Sequence, residues 1–198
     1  KGSYKVLDAL STLGFDYPPR ASFFSSELKH AFLLAKEQGF DIREMTGSYA
    51  GAMGYGQFIP SSYRHYAIDF DGDKIVDILN NHIDAIGSVA NYVSMHKWDK
   101  GKPIAYLLSE KDLGKDYKNF IAKSLKPSNS IAEMRKSGML VSNKLVSDDM
   151  AKIQSYVLES GEENWLTLHN FYVITRYNHS HLYAMAVYQL AQELGLPK

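Results

Sequence analysis

Four glycines fall within the ten residues Gly47–Gly56, and this density constrains the fold more than any other feature of the chain. Glycine has no Cβ, so such a segment lets the backbone approach other backbone or a ligand closely. Gln57 follows directly and offers an amide that both donates and accepts hydrogen bonds. The segment lacks the Gly-Lys spacing of a phosphate-binding loop and no apolar strand precedes it, so that function is excluded.

The composition is that of an ordinary globular protein. The 198 residues are 45% hydrophobic and 22% charged, and 22 Lys and Arg balance 22 Asp and Glu. The zero net charge argues against a nucleic-acid-binding protein, and the apolar content excludes a disordered chain. The absence of cysteine excludes a disulfide framework and a thiolate metal site, and no run of 18 apolar residues is present. The length corresponds to one domain or one and a half.

Apolar residues at helical spacing predict a mainly helical chain. Because no helix start precedes the apolar stripe of Lys1–Leu13, we expect the chain to begin inside a larger unit. The last helix should end at Gly195 and Pro197. The predicted helices are the end of a helix over Lys1–Leu13, Ser25 or Ser26 to Gln38, Ser61 or Ser62 toward Ile68, Ala85–His96, about Asn170 onward, and Ser180–Leu194.

A small β-containing insert is predicted at about 102–168. It comprises a strand at Ile104–Leu108, a short helix at Ser130–Lys136, and a hairpin that turns at Ser160-Gly161-Glu162. The expected fold class is therefore α+β, mainly α. The predicted division is 1–101, 102–168 and 169–198, with the last part returning to the helical core.

An acidic segment, Asp69–Asp84, predicts a divalent cation site. Carboxylates at relative positions 1, 3, 5 and 9 match the first part of an EF-hand loop, and oxygen on alternate residues suits Ca²⁺. Lys74 stands where glycine normally takes a positive φ, and Asn80 stands where a bidentate Glu is expected. The alternative is a solvated acidic turn, in which the carboxylates would repel one another. The predicted ligands of a structural Ca²⁺ are Asp69, Asp71, Asp73, the Ile75 carbonyl, Asp77 and Asp84.

Several long motifs resemble those of the membrane-bound B type of lytic murein transglycosylases. They are Gly51-x-x-Gly54-x-Gly56-Gln57-Phe58-x-Pro60-Ser61-Ser62-Tyr63, Tyr66–Asp73, Asp84–Tyr92, Leu7–Leu10, Phe15–Arg20 and Asn170–Asn178. The resemblance covers nearly the whole chain and is weakest at about 102–147. It implies a lysozyme-like helical core, with the EF-hand-like loop and the small insert as additions.

The resemblance also implies an activity, cleavage of the β-1,4 bond between N-acetylmuramic acid and N-acetylglucosamine in peptidoglycan. Such enzymes use one Glu, which protonates the leaving oxygen and then serves as base while the sugar's own 6-hydroxyl attacks. The product is a 1,6-anhydro sugar. A Glu in both roles needs a raised pKa, which an apolar and partly closed site provides.

The family's catalytic Glu is expected upstream of Lys1, before the Leu7–Leu10 motif, so this chain is expected to be a fragment without lytic activity of its own. Glu44 is the alternative candidate, since it shortly precedes the glycine segment, but it falls in a polar turn. Glu27 and Glu37 are expected to be exposed helix residues.

The resemblance further implies a set of glycan-binding residues that line one cleft. Arg20 matches one member of an arginine pair, whose other position is Pro19 here, so that contact is in doubt. For the tyrosines the alternative is core packing, and for Asn178 it is a cap on the helix from Ser180. The predicted glycan-binding residues are Arg20, Ser48, Gln57, Phe58, Tyr92, Tyr177, Asn178 and Tyr183.

Two other functions remain open, a non-catalytic peptidoglycan-binding protein of the same fold and a calcium sensor. The second is disfavoured because sensor loops usually occur in pairs. The expected partners are peptidoglycan glycan strands, with no nucleic acid, and the chain is expected to be monomeric. The substrate places the protein in the periplasm, with or without a lipid anchor to the outer membrane.

Overall fold

A computed structural model describes residues 1–121 and 123–195. By its contacts the chain divides into two compact units, Lys1–Tyr92 and Val93–Lys198. The three-part division at 101 and 168 stays a prediction. The predicted chain end at Pro197 lies outside the described residues.

The first unit is built on two packed helices. Its elements are β1 (Tyr4–Lys5), α1 (Val6–Phe15), a 3₁₀ turn (Pro18–Arg20), α2 (Ala21–Gln38), β2 (Thr46–Gly47), α3 (Pro60–Tyr66) and α4 (His82–Met95), which runs past the unit boundary. Gly14 is buried on α1, where a Cβ would lie 3.1 Å from the Ser25 hydroxyl oxygen of α2. The absence of that side chain lets α1 and α2 approach closely.

Three helix starts differ from the sequence-based prediction by three residues or more, and α3 begins at Pro60, just before the predicted Ser61 or Ser62. Helix α1 begins at Val6, after the short strand β1, rather than before Lys1. Helix α2 begins at Ala21, which directly follows the 3₁₀ turn and already has helical dihedral angles (φ −53°, ψ −46°). Helix α4 begins at His82 because the Asn81 side-chain oxygen accepts the Ile83 amide at 2.9 Å and so caps the helix.

The second unit carries an antiparallel sheet in the order β3-β6-β5-β4. The predicted strand, the hairpin and the short helix that Ser130 caps are all present. The hairpin turns at Glu159-Ser160 and not at Ser160-Gly161-Glu162, because Gly161 already pairs with Leu158. Its elements are β3 (Ala105–Leu108), 3₁₀ turns at Glu110–Asp112 and Tyr117–Phe120, β4 (Asn129–Ser130), α5 (Ile131–Lys136), β5 (Met150–Leu158), β6 (Gly161–Thr167), α6 (His169–Tyr177) and α7 (His181–Glu193).

Side chains of the sheet alternate between two cores. Ile153 and Leu166 pack in a cluster with α5, whereas Tyr156 packs in a second cluster with α6 and α7. The α+β, mainly α class is thus confirmed. Among the residues that the structure describes, no helix is both long and apolar enough to cross a membrane.

The packing of the glycine segment predicts a difference between two Gly→Ala substitutions in the first unit. Both Gly54 (φ +70°) and Gly39 (φ +69°) are left-handed, but a Cβ at Gly54 would collide with the Ile78 carbonyl whereas none is near Gly39. Gly39→Ala should cost about 1–2 kcal/mol of unfolding free energy, and Gly54→Ala about 2–5 kcal/mol. Urea denaturation measures both, and equal losses would show that the close approach does not matter.

Candidate functional site

The glycine segment folds into two successive tight loops. The first closes where the Ser48 amide donates to the Ala52 carbonyl at 2.8 Å. The second closes where Met53 and Phe58 exchange backbone hydrogen bonds of 2.8 and 3.0 Å. The predicted close backbone approach is confirmed at Gly47, where a Cβ would lie 2.5 Å from the Ala52 carbonyl oxygen.

Gln57 lies exposed at the end of the second loop, with its backbone in a left-handed conformation (φ +48°). Its amide nitrogen donates to the Gly54 carbonyl at 2.9 Å and to the Lys1 carbonyl at 3.3 Å. Because these bonds use the two N–H groups, the side-chain carbonyl oxygen is left as an acceptor, and its role in binding glycan stays a prediction.

Ser48 offers a hydrogen-bond donor where Gln57 offers an acceptor. Its hydroxyl oxygen accepts the amides of Ala50 at 3.2 Å and Ala52 at 3.1 Å. The oxygen thus holds the first loop, and the hydroxyl proton is left as a donor, whose role in binding glycan stays a prediction.

Phe58 and Tyr92 belong to an aromatic cluster inside the first unit. Phe58 is 3% exposed and Tyr92 is 9% exposed. Their ring centroids lie 5.9 Å apart, and Tyr66 lies 4.5 Å from Tyr92. Core packing, the alternative weighed for Tyr92, is therefore present, and a role in binding glycan stays a prediction for both residues.

Glu27 corrects the sequence-based prediction. It was expected to be exposed, but it is 4% exposed and its carboxylate accepts the Ser61 amide at 2.9 Å. Ser61 lies in the first turn of α3, whose N-cap residue, Ile59, has no capping side chain. Glu27 therefore supplies the missing cap and fixes the end of the glycine segment. The uncapped Pro60-Ser61 start was the sequence signal for such a partner.

Glu37 and Glu44 lie at the surface and are paired with cations. The Arg64 guanidinium donates two hydrogen bonds to Glu37, of 2.6 and 2.7 Å, and these lower the pKa of that carboxyl. Glu44 forms an ion pair with Lys5 at 2.9 Å, and its side chain is 76% exposed. Glu44 thus lies in solvent beside a cation and not in an apolar, partly closed surrounding, so it lacks the environment that a general acid needs.

The acidic segment brings three of its predicted ligands together. Carboxylate oxygens of Asp69, Asp71 and Asp84 lie within 4.8 Å of one another. Asp84 is buried, which alone would raise its pKa, but the amides of Asp77, Phe70 and Asp71 donate to it and lower the pKa overall. Asp84 is thus the fixed anion around which the segment folds.

The other predicted ligands are placed differently in the part of the chain that the structure describes. Asp77 accepts the amides of Leu79 and Asn80, both at 2.9 Å, and Asp73 accepts the Ile75 amide at 2.8 Å. Neither carboxylate belongs to the three-residue group. Lys74 has φ +75°, so it adopts the left-handed conformation that glycine supplies in the standard loop.

The predicted binding residues of the second unit lie around the junction of α6 and α7. Tyr177 and Tyr183 stack with centroids 6.4 Å apart and planes 15° from parallel. Burial raises the pKa of Tyr183, which keeps its hydroxyl protonated. Asn178 is exposed at the C-cap of α6, and Ser180 rather than Asn178 caps α7 by accepting the Tyr183 amide at 3.2 Å.

Arg20 lies in the first unit, exposed, with its guanidinium over the rings of Phe23 at 4.3 Å and Phe24 at 5.0 Å. That Arg20, Ser48 and Gln57 share one cleft with Tyr177 and Asn178 stays a prediction.

Comparison with known proteins identifies the family. The family model described as "Transglycosylase SLT domain" matches residues 1–192. The membrane-bound lytic murein transglycosylase B of Escherichia coli K12 is 42% identical over 197 residues, which cover 100% of this chain and 53% of that protein. The chain thus spans about half the length of this curated relative.

Two solved structures share the fold. The soluble lytic transglycosylase SltB1 of Pseudomonas aeruginosa is 50% identical with a TM-score of 0.86, over 97% of this chain and 63% of that one. The Escherichia coli lytic transglycosylase SLT35 in complex with calcium is 42% identical with a TM-score of 0.84, over 96% of this chain and 59% of that one. With a family match over nearly its whole length, this chain belongs to the transglycosylase SLT domain family, among the lytic murein transglycosylases that its motifs predicted.

Proposed function

We propose that the chain is the glycan-binding part of a peptidoglycan lytic transglycosylase. The reaction is cleavage of the β-1,4 bond between N-acetylmuramic acid and N-acetylglucosamine, with a 1,6-anhydro sugar as product. The observation that carries the proposal is the double loop of Gly47–Pro60, which presents one donor, Ser48, and one acceptor, Gln57, from a backbone fixed by hydrogen bonds. Its support from outside the chain is the 42% identity to a lytic murein transglycosylase.

Ser48 and Gln57 suit the task of orienting a sugar. A hydroxyl donor and an amide acceptor match the acetamido and hydroxyl groups of an N-acetylated glycan. These two residues would hold the sugar with its own 6-hydroxyl facing the reacting carbon, so that no water molecule needs to attack. Positioning of this kind lowers the activation barrier. Arg20, Tyr177, Asn178 and Tyr183 are proposed to contact the same glycan.

The general acid is proposed to come from a Glu outside these 198 residues. The three glutamates closest in sequence to the glycine segment on its N-terminal side are engaged elsewhere: Glu27 caps α3, Glu37 pairs with Arg64 and Glu44 pairs with Lys5. None of them combines an apolar surrounding with access to a substrate. The alternative, a peptidoglycan-binding protein without catalysis, is decided by the experiment below.

We also propose that Asp69, Asp71 and Asp84 hold a structural Ca²⁺, since their oxygens converge within 4.8 Å. Oxygen ligands with several carboxylates are the donor set that Ca²⁺ prefers. A cation would relieve the repulsion among these groups and tie α4 to the loop that precedes it. SLT35, a solved relative, is in complex with calcium. The Ile75 carbonyl, Asp73 and Asp77 remain proposed as further or water-mediated ligands.

The proposed substrate sets the proposed location. Peptidoglycan lies outside the cytoplasmic membrane, so we propose a periplasmic protein that works on glycan strands as a monomer. Whether a lipid anchors it to the outer membrane is a separate expectation from the resemblance to the membrane-bound type.

Product analysis tests the proposed activity. The 198-residue chain incubated with purified peptidoglycan should yield no 1,6-anhydro products by mass spectrometry, because a general acid contributes about 10²–10⁴ in rate. A longer version with the family's Glu restored upstream should yield them. In that version Gln57→Ala should lower kcat/KM by about tenfold to a hundredfold, while Gln38→Ala, at an exposed helix end, should not.

Clear turnover by the 198-residue chain would contradict the proposed source of the acid and would make Glu44 the first residue to substitute. An inactive longer version that still binds peptidoglycan would favour the non-catalytic alternative.

Thermal unfolding tests the Ca²⁺ site. Calcium at 100 times its dissociation constant should add about 2.7 kcal/mol of stability, which raises Tm by roughly 5–10 °C at this chain length. Asp71→Asn should remove most of the rise, and Asp148→Asn, at an exposed carboxylate outside the segment, should leave it intact. An unchanged Tm in calcium and in chelator, with no metal found by elemental analysis, would contradict the proposal.

A further inference from the structure

The second unit has a groove of about 330 Å³ between the edge strand β3 and helix α7. This volume falls within the range of about 300–1,000 Å³ typical of small-molecule sites. The side chains that form it include Leu107, Trp165, Tyr188, Gln189, Gln192 and Glu193. None of them is among the residues matched to the family's cleft.

The floor of the groove is apolar and comes from two paired strands. Leu107 on β3 lies directly opposite Trp165 on β6, so both side chains project from the same face of the sheet. Leu107 is 54% exposed even though it stands in a strand. Tyr188 of α7 closes the inner end, where it is buried and its hydroxyl donates to the Ala105 carbonyl at 3.1 Å.

The indole of Trp165 is held in a fixed orientation. Its Nε1–H donates to the Glu163 carboxylate at 3.0 Å, and its ring meets the Tyr188 ring edge to face at 6.1 Å. The tryptophan is therefore oriented before any ligand arrives, which lowers the entropy cost of binding on its surface.

The wall of the groove is polar. Gln192 and Glu193 lie three and four residues after Gln189 on α7, so all three project from one side of the helix. Two amides and one carboxylate offer both donors and acceptors, and among the residues that the structure describes no cationic side chain lines the groove. This composition disfavours an anionic ligand and suits a neutral one rich in hydroxyl or amide groups.

We propose that this groove binds a neutral saccharide, with the apolar face of a pyranose ring on Trp165 and Leu107 and its hydroxyl or acetamido groups on Gln189 and Gln192. A pyranose has the required pairing of a C–H face and an equatorial rim of polar groups. The site would hold a stretch of glycan with residues other than Ser48, Gln57, Tyr177 and Asn178. The inference does not depend on the lytic activity, because it concerns binding alone.

Amide NMR of the 198-residue chain tests the inference, with the chitin oligosaccharide of four N-acetylglucosamine units as the probe. Titration should shift the Trp165 indole N–H and the amides of Leu107 and Gln192. Gln192→Ala should weaken the affinity derived from these resonances by about threefold to tenfold, the effect of one lost hydrogen bond. Trp165→Phe, which keeps an aromatic ring in the core, should weaken it at least as much.

Gln38→Ala, also a glutamine in the last turn of a helix, should leave the affinity unchanged. If shifts occur at Ser48 and Gln57 but not in the groove, the inference is overturned while the proposed function stands. If the groove binds an extended neutral peptide along β3 and no sugar, a peptide partner replaces the saccharide. No shift at any residue overturns the inference and also removes support for glycan binding by the chain.

Discussion

The close approach of backbone to backbone in Gly47–Gly56 is the constraint on which the first unit depends. A Cβ at Gly47 would lie 2.5 Å from the Ala52 carbonyl oxygen, and one at Gly54 would collide with the Ile78 carbonyl. The energy of this arrangement comes from the backbone hydrogen bonds that the missing side chains allow, among them the Tyr55 amide to the Ile78 carbonyl at 3.1 Å. Ser48 and Gln57 are thus presented from a backbone that other parts of the unit hold in place.

The same contacts join the glycine segment to the acidic segment. Ile78 is fully buried and follows Asp77, whose amide donates to the buried carboxylate of Asp84 at 2.9 Å. On the other side, Glu27 of α2 accepts the Ser61 amide where the glycine segment ends. The buried carboxylates of Asp84 and Glu27 therefore hold, through backbone amides, the acidic segment and the start of α3, which both adjoin the double loop. A cation bound at Asp84 would strengthen this network of hydrogen bonds. The proposed Ca²⁺ would therefore also stabilise the backbone near Gln57.

The sequence predicted most of the elements and the family, and it failed where a tertiary partner decides the outcome. Periodicity placed α7 and the β5–β6 hairpin, because the patterns of 3.6 and 2 residues are local. The sequence did not predict the burial of Glu27, because a carboxylate on a helix is expected to be exposed unless its partner, the uncapped start of α3, is known. Spacing alone also placed Asp73 and Asp77 among the ligands. Asp77 caps the following turn at Leu79 and Asn80, and a role of either residue in binding a cation stays a prediction. The joint position of residues 120 apart, such as Gln57 and Tyr177, is a question that local patterns do not answer.

Native-state hydrogen exchange tests the central claim, that hydrogen bonds make the glycine segment a rigid platform. The amides of Met53, Tyr55 and Phe58 all donate within or from this segment. Each should exchange with an opening free energy close to that of global unfolding, as core amides do. The amide of Gly72, which donates to the Asp69 side chain in an exposed loop, should exchange much faster. Exchange of Met53, Tyr55 and Phe58 at the rate of an open loop would contradict the claim.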